Sequence, residues 1–253
     1  MSQIKAVFFD QDGVIIDTER DGHRVSFNMT FKEFGFTDEW SVEYYHELLQ
    51  IAGGKERMKH HWKNKGFSKK MTGEEIDKLI PEMHKRKTAL FVELIETGKL
   101  PLRPGIHRFM KEAMEAGLKV AVCTTSNEQA AKAITGKILK DIKFDLVLAG
   151  DVVSKKKPDP EIYNLALSKL GLQPVEVIIV EDSKNGVTAG KAAGGNVIVT
   201  TNGYTEKEDV NAGDIIVTCL GDPKGEKAIL RKGNLSGFDG VVHAKQLIEL
   251  FGK

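Results

Sequence analysis

The feature that most limits what this chain can fold into is the distance between its first two strand-like runs. Ala6–Phe9 is wholly apolar, the pattern of a strand buried on both faces of a parallel sheet. The next such run, Lys119–Cys123, begins more than one hundred residues later. From there strand and helix patterns alternate. Apolar runs recur at 146–149, 177–180 and Asn196–Thr200, and helical spacing fills Ile106–Glu115, 128–138 and Glu161–Leu170. That alternation predicts an α/β fold, a Rossmann-like three-layer core with a parallel sheet. Ligands of such sheets collect beyond the carboxyl ends of the strands.

The long first gap is mostly helical in pattern, at 21–34, 42–50, 55–64 and 73–96. It is too long for a simple crossover and reads as a helical cap inserted into the core. Leu100-Pro101-Leu102-Arg103-Pro104-Gly105 marks the return, because the prolines resist helix and the glycine permits a turn. The expected organisation is therefore residues 1–16 and 101–253 as the α/β catalytic core, with 17–100 as the inserted cap. The glycine-rich tail predicts a short strand at 214–218, a loop at 222–225 and a closing helix at 243–251.

Four polar clusters follow four of the predicted strands: Asp10 and Asp12; Thr124-Thr125-Ser126-Asn127; Lys157-Pro158-Asp159-Pro160; and Glu181-Asp182-Ser183. In a parallel sheet these ends converge on one rim. The inventory there suits phosphoryl transfer. An ionised carboxylate can attack phosphorus, and a second, two residues on, can protonate the leaving oxygen and later activate water. Mg²⁺ favours a few carboxylates with phosphate oxygen and retained waters, a shell that Asp10, the Asp12 carbonyl and Asp182 can supply. A hydroxyl and a lysine, Thr124 and Lys157, can hold the remaining phosphate charge. Each cluster alone has a plainer reading. Asp-x-Asp-Gly is a common turn fragment, Thr124 to Ser126 and Glu181-Asp182 can cap helices, and Lys155 to Lys157 can be a solvated face. Capping and phosphate binding are compatible, since the same backbone N–H groups attract anions.

Taken together, FFDQDG, Thr124 after its strand, KKPDP and VEDSKNG resemble, in order, the four motifs of the haloacid-dehalogenase-like superfamily of phosphohydrolases and mutases. The resemblance implies Asp10 as nucleophile and Asp12 as acid/base, with Thr124 and Lys157 completing the catalytic set. It also implies Mg²⁺ as cofactor, held by Asp10, Asp12, Glu181 and Asp182. A narrower resemblance rests on Asp17-Thr18-Glu19, Gly22-His23-Arg24, Phe27-Asn28 and Gly53-Gly54-Lys55-Glu56-Arg57. These are similar to the bacterial and plastid xylulose-1,5-bisphosphate phosphatases, whose cap type also occurs in beta-phosphoglucomutase and other sugar-phosphate phosphatases. That resemblance implies a small sugar-phosphate substrate contacted by Glu19, His23, Gly53, Gly54, Lys55, Arg57, Thr125, Ser126 and Asn127.

A second phosphate needs its own cation, and a guanidinium offers a fixed fork for it. Lys55 and Arg57 follow two glycines that permit close backbone approach; the alternative is a helix start whose charges face water. Other family members often place the histidine three positions after the glutamate. Here His23 stands four after Glu19, so substrate contact and a structural hydrogen bond both stay open. Gln11, where an apolar residue is common, is expected to point away from the attacking face. His60-His61 reads as surface. No acidic or cysteine partners are identified for His46, His84, His107 and His243. Trp40, Trp62, Tyr44 and Tyr45 read as cap packing, and Arg103 as either a bridge between domains or a guard of the site.

The 37 basic and 36 acidic residues give a formal charge of +1, which argues against a polyanion partner. Cys123 and Cys219 form no metal or disulfide pattern. Neither a signal-peptide core nor a membrane-length run is present. The expectation is a cytoplasmic monomer, or one of the plastid stroma should the source be photosynthetic, with no nucleic-acid or membrane partner. Three functions fit: a Mg²⁺-dependent phosphatase working through an aspartyl phosphate, a phosphosugar mutase sharing that intermediate, and a sugar-phosphate sensor without catalysis.

Overall fold

A computed structural model of the chain describes residues 3–51, 53–126 and 128–252. Contacts divide it into two compact units, Met1–Asp17 with Pro101–Lys253, and Thr18–Leu100. Asp17 thus goes with the larger unit.

In the larger unit seven strands form one sheet in the order β3-β2-β1-β4-β5-β6-β7. They are β1 (Ala6–Phe9), β2 (Lys119–Cys123), β3 (Leu146–Leu148), β4 (Val177–Glu181), β5 (Asn196–Thr200), β6 (Ile215–Val217) and β7 (Leu230–Lys232). All pairings are parallel except β6 with β7. The antiparallel β7 was not expected from the sequence; it is three residues long and two of them are charged. Central β1 is flanked by β2 and β4, and Phe9 lies opposite both Val122 and Val180. One step further along the chain, Asp10 comes level with Cys123 and Glu181, so register alone brings distant residues to one rim.

Alternation along β1 divides its side chains between two apolar layers. Phe8 joins Tyr163, Ala166 and Val187 in one buried cluster, while Phe9 packs edge-on against Phe109 at 6.1 Å. The layers are built by α5 (Ile106–Glu115), α6 (Glu128–Ala133), α7 (Glu161–Leu170), α8 (Lys184–Ala192) and α9 (Ala244–Phe251). The helix expected over 128–138 changes to π geometry at Ile134–Ile138.

The smaller unit holds α1 (Arg24–Glu33), α2 (Val42–Leu48), α3 (Gly54–Asn64) and α4 (Gly73–Glu96). Phe27, Phe31, Trp40 and Tyr45 form its buried aromatic centre, with rings 4.7–6.2 Å apart in the pairs around Phe27. Thr72 and Glu75 form a capping box that starts α4. The surface reading of His61 fails. It is buried, with Nδ1 3.0 Å from the Tyr44 hydroxyl and Nε2 3.3 Å from Asp38. Consecutive histidines on a helix point about 100° apart, so His60 can be exposed while His61 packs inward. Among the described residues no helix is long and apolar enough to cross a membrane.

Candidate active site

Beyond β1 the backbone folds back on itself. Asp10 N–H donates to Val180 O at 3.0 Å, and the Gln11 carbonyl accepts from Ile15 N–H at 2.9 Å. Gly13, at φ +81°, makes the turn possible, and its N–H reaches Ile16 O at 2.8 Å. A Cβ on Gly13 would stand 2.1 Å from Asp182 Oδ2, so glycine is required for space as well as for conformation. Gln11 is fully buried, and neither atom of its side-chain amide has a hydrogen-bond partner.

Lys157 is the hub of the strand-end cluster. Its Nζ lies 2.5 Å from Asp10 Oδ1 and 2.7 Å from Glu181 Oε1, and it donates to Cys123 O at 3.0 Å. The Tyr163 hydroxyl donates to the same Glu181 oxygen. Asp182 Oδ2 accepts from Asn202 Nδ2 at 2.8 Å. Burial pushes the Asp10 carboxyl up to about 7; Lys157 opposes this, while Glu181 and Asp12 add like charge. Burial, then Glu181 and Asp10, raise Asp182 well above the usual carboxylate range. Lys157 is held above its ordinary value despite burial, because Asp10 and Glu181 favour its charged form.

Asp10, Glu181 and Asp182 each offer an oxygen, all within 4.8 Å of one another and all buried. Lys157 beside Asp10 and Glu181, and the Arg103 charge that acts on Asp182, leave three buried carboxylates facing two cations. The donors are hard oxygens, and Mg²⁺ fits that set in charge and ligand type. The Asp12 side chain is outside this cluster, leaving its backbone carbonyl as the atom through which it would ligate.

Thr124 is buried at the end of β2, its N–H on Leu148 O at 3.0 Å. Its hydroxyl accepts from Ser126 N–H at 3.1 Å, which shapes the turn and leaves the hydroxyl proton available. Thr125 and Ser126 are half-buried. Thr125 lines an open cleft of about 600 Å³ with Glu128, Gly150, Asp151 and Lys156. Asn127 lies outside the described residues. Lys155 and Lys156 pair at the surface with Asp159 and Asp151.

Within the smaller unit, Thr18–His23 is π-helical and runs into α1. A π turn accommodates one extra residue in a helix, which is how this chain takes up the four-residue interval from Glu19 to His23. Glu19 accepts from the Tyr45 hydroxyl at 2.8 Å, and Arg57 Nη1 reaches that hydroxyl at 3.4 Å. Arg57 Nε also donates to Ile51 O at 2.9 Å. His23 stacks on Phe91 at 3.9 Å, and its Nδ1 lies 2.6 Å from Lys87 Nζ. Gly53 caps α3 at φ +93°. At Gly54 a Cβ would meet His84 Nε2 at 2.7 Å. Lys55 is exposed.

Lys87, only 6% exposed, was not singled out from the sequence. Burial lowers its ammonium to about 8, with Glu19 pulling it up and Arg57 pushing it down. Burial, then Lys87, Arg57 and His84, hold His23 well below its ordinary value, so its ring is neutral and Nδ1 can accept from Lys87. The one sequence signal for Lys87 was its place in Lys85-Arg86-Lys87, where a helix turns each side chain in a different direction.

Several other expectations change. Arg103 donates within the larger unit to the carbonyls of Gly13, Thr200, Thr201 and Thr218. His107 has an acidic partner in Asp141 at 3.0 Å, and His243 has one in Glu112 at 3.0 Å. Asp141 stands in a turn and His243 at the N-cap of α9, each far in sequence from its partner on α5, so local spacing gave no sign of the pairs.

Comparison with known proteins agrees with this geometry. Residues 4–194 match the model of the haloacid dehalogenase-like hydrolases. A CBBY-like protein of Arabidopsis thaliana is 49% identical over 226 residues, 88% of this chain and 71% of that protein. Protein CbbY of Cereibacter sphaeroides is 38% identical over 226 residues, 88% of this chain and 95% of that one. The crystal structure of a D10N mutant of CbbY from Rhodobacter sphaeroides, in complex with xylulose-(1,5)bisphosphate, is 37% identical. It superposes with a TM-score of 0.63 over 85% of this chain and 94% of that chain. The chain belongs to the haloacid dehalogenase-like hydrolases.

Proposed function

We propose that this hydrolase is a Mg²⁺-dependent phosphatase of small sugar phosphates, and that it removes the 1-phosphate of xylulose 1,5-bisphosphate. The observation that carries the reading is the convergence of Asp10, Lys157, Glu181 and Asp182, from three separate strand ends, into one buried cluster. The specific substrate is supported by the bisphosphate that the related CbbY structure holds. It is also supported by the cations Arg57 and Lys87, with the His84 ring close by, beside Glu19, the chemistry that recognises a second phosphate together with sugar hydroxyls.

In the proposed reaction an Asp10 oxygen attacks phosphorus and the bond from phosphorus to the sugar oxygen breaks. Asp12 gives its proton to the departing alcohol. Asp12 then takes a proton from water as that water attacks the aspartyl phosphate, which releases phosphate and returns Asp10. Lys157 and Thr124 hold the phosphoryl oxygens throughout. Asp10, the Asp12 carbonyl, Glu181 and Asp182 would hold Mg²⁺, which when bound would neutralise phosphate charge. Thr125, Ser126 and Asn127 are assigned to the phosphate end. Glu19, His23, Gly53, Gly54, Lys55 and Arg57 are assigned to the sugar and its second phosphate, with residues 18–100 serving as the substrate-recognising cap.

The test is phosphate release with Mg²⁺ from xylulose 1,5-bisphosphate, ribulose 1,5-bisphosphate, xylulose 5-phosphate and hexose phosphates, with Asp10→Asn as blank. A strong preference for the first compound is expected. Equal slow hydrolysis of all of them would remove the specific assignment. Isomerised hexose phosphate formed without phosphate release would make the protein a mutase.

A further inference from the structure

We propose that Asn202 is a positioning residue for the metal site, fixing the rotation of the Asp182 carboxylate and thereby setting metal affinity. The inference rests on the reading of Asp10, Glu181 and Asp182 as metal ligands. Asn202 stands just past the carboxyl end of β5, and β5 pairs in parallel with β4, whose end carries Glu181 and Asp182.

The orientation of its amide follows from its own turn. Asn202 Oδ1 accepts from the backbone N–H groups of Tyr204 at 2.9 Å and Thr205 at 3.2 Å, and the Asn202 N–H donates to Thr205 Oγ1 at 3.0 Å. With the oxygen committed to two donors, the NH₂ end must face the other way. That end lies 2.8 Å from Asp182 Oδ2 and 3.4 Å from Gly13 O. One amide therefore ties the turn after β1 to the acid after β4.

The surroundings are shaped to hold this contact. A Cβ on Gly13 would stand 2.1 Å from Asp182 Oδ2 and 2.8 Å from Asn202 Nδ2, so glycine opens the space in which the two meet. Arg103 donates to Gly13 O, to Thr200 O at 2.8 Å and to Thr201 O at 2.7 Å, fastening the segment that leads into Asn202. A carboxylate crowded by Asp10 and Glu181 lowers its energy by rotating away from them, and a fixed donor on one oxygen prevents that. A neutral amide does this without spending the negative charge that a cation needs, whereas a lysine in its place would compete with the metal. Partners that orient ligating carboxylates in this way are worth about 10- to 100-fold in metal affinity.

Mn²⁺ binding to the metal-stripped full chain, followed by electron paramagnetic resonance without substrate, tests the proposal apart from turnover. In Asn202→Ser the hydroxyl can still accept from the turn N–H groups but is too short to reach Asp182. Its Mn²⁺ affinity is expected to fall about tenfold or more, with the unfolding midpoint in chelator unchanged. In assays the Mg²⁺ requirement should rise while KM for substrate at saturating Mg²⁺ holds. Asn202→Ala carries the same affinity expectation and serves if the serine variant does not fold. Thr205→Val loosens the turn but leaves the amide on Asp182, and should bind Mn²⁺ as the wild type does. Wild-type affinity in the Asn202 variants, or an equal loss in Thr205→Val, would overturn the proposal.

Discussion

The two units of this protein gather opposite charge. In the larger, Asp10 and Glu181 close on the buried Lys157, with Asp182 beside the two carboxylates. In the smaller, Lys87 and Arg57 collect with the rings of His23 and His84 near Glu19, and Glu56 lies close to His84. Burial drives both clusters toward neutrality, raising Asp10 to about 7 and lowering Lys87 to about 8. Each is therefore short of a counter-charge, and of opposite kinds: the carboxylates are completed by a cation, the basic cluster by an anion. A metal-assisted phosphatase of a doubly phosphorylated sugar needs one of each. The comparison teaches that fixed charges here are matched to ligands more than to one another.

The largest effect should come from the carboxylate side. Asp10→Asn should reduce turnover by at least about 10³-fold in a phosphate-release assay, since no aspartyl phosphate can form. Lys157→Met removes the ammonium that Asp10 and Glu181 share and leaves both buried carboxylates without it. Urea unfolding in chelator should show a loss of about 3–5 kcal/mol.

The basic cluster should respond more mildly and in a different quantity. Lys87→Met should raise KM for the bisphosphate by about 10- to 100-fold, the worth of a hydrogen bond from a charged group, and leave hydrolysis of a monophosphate near its original rate. Smallest is the pH response. The protonated ammonium is the form that binds phosphate, so bisphosphate affinity should weaken as pH rises through about 8. Stability moves the other way. The folded ammonium titrates below the unfolded one, so between about 8 and the ordinary lysine value of 10.5 the unfolded chain holds the extra proton. Stability should rise with pH across that window, and the part contributed by Lys87 should be missing in Lys87→Met. Equal pH profiles for the two proteins would break the comparison.

The two regions also differed in how well the sequence revealed them. Asp10, Thr124, Lys157, Glu181 and Asp182 were legible because each follows a strand-like run, and parallel register delivers such positions to one rim. The helical insertion was legible from the gap between β1 and β2. Lys87 was not, because it lies mid-helix in Lys85-Arg86-Lys87. There Arg86 makes an exposed pair with Glu33 at 2.6 Å while Lys87 turns inward. Tyr163 was hidden for a related reason: α7 reads as an ordinary apolar helix, and only its packing against β2 and β3 brings its hydroxyl to Glu181. Asn202 could have been found by the strand-end rule, since it follows β5 as the acids follow β4. Its Gly-containing surroundings read as plain loop instead.

The central claim is a division of labour, with chemistry in the carboxylate cluster and recognition of the second phosphate in the basic one. The most direct test is kcat/KM for xylulose 1,5-bisphosphate against a pentose 1-phosphate, in the wild type and in Lys87→Met. The account predicts a strong preference for the bisphosphate in the wild type that largely disappears in the variant, with the monophosphate rate retained. An unchanged preference, or equal loss on both substrates, would contradict it.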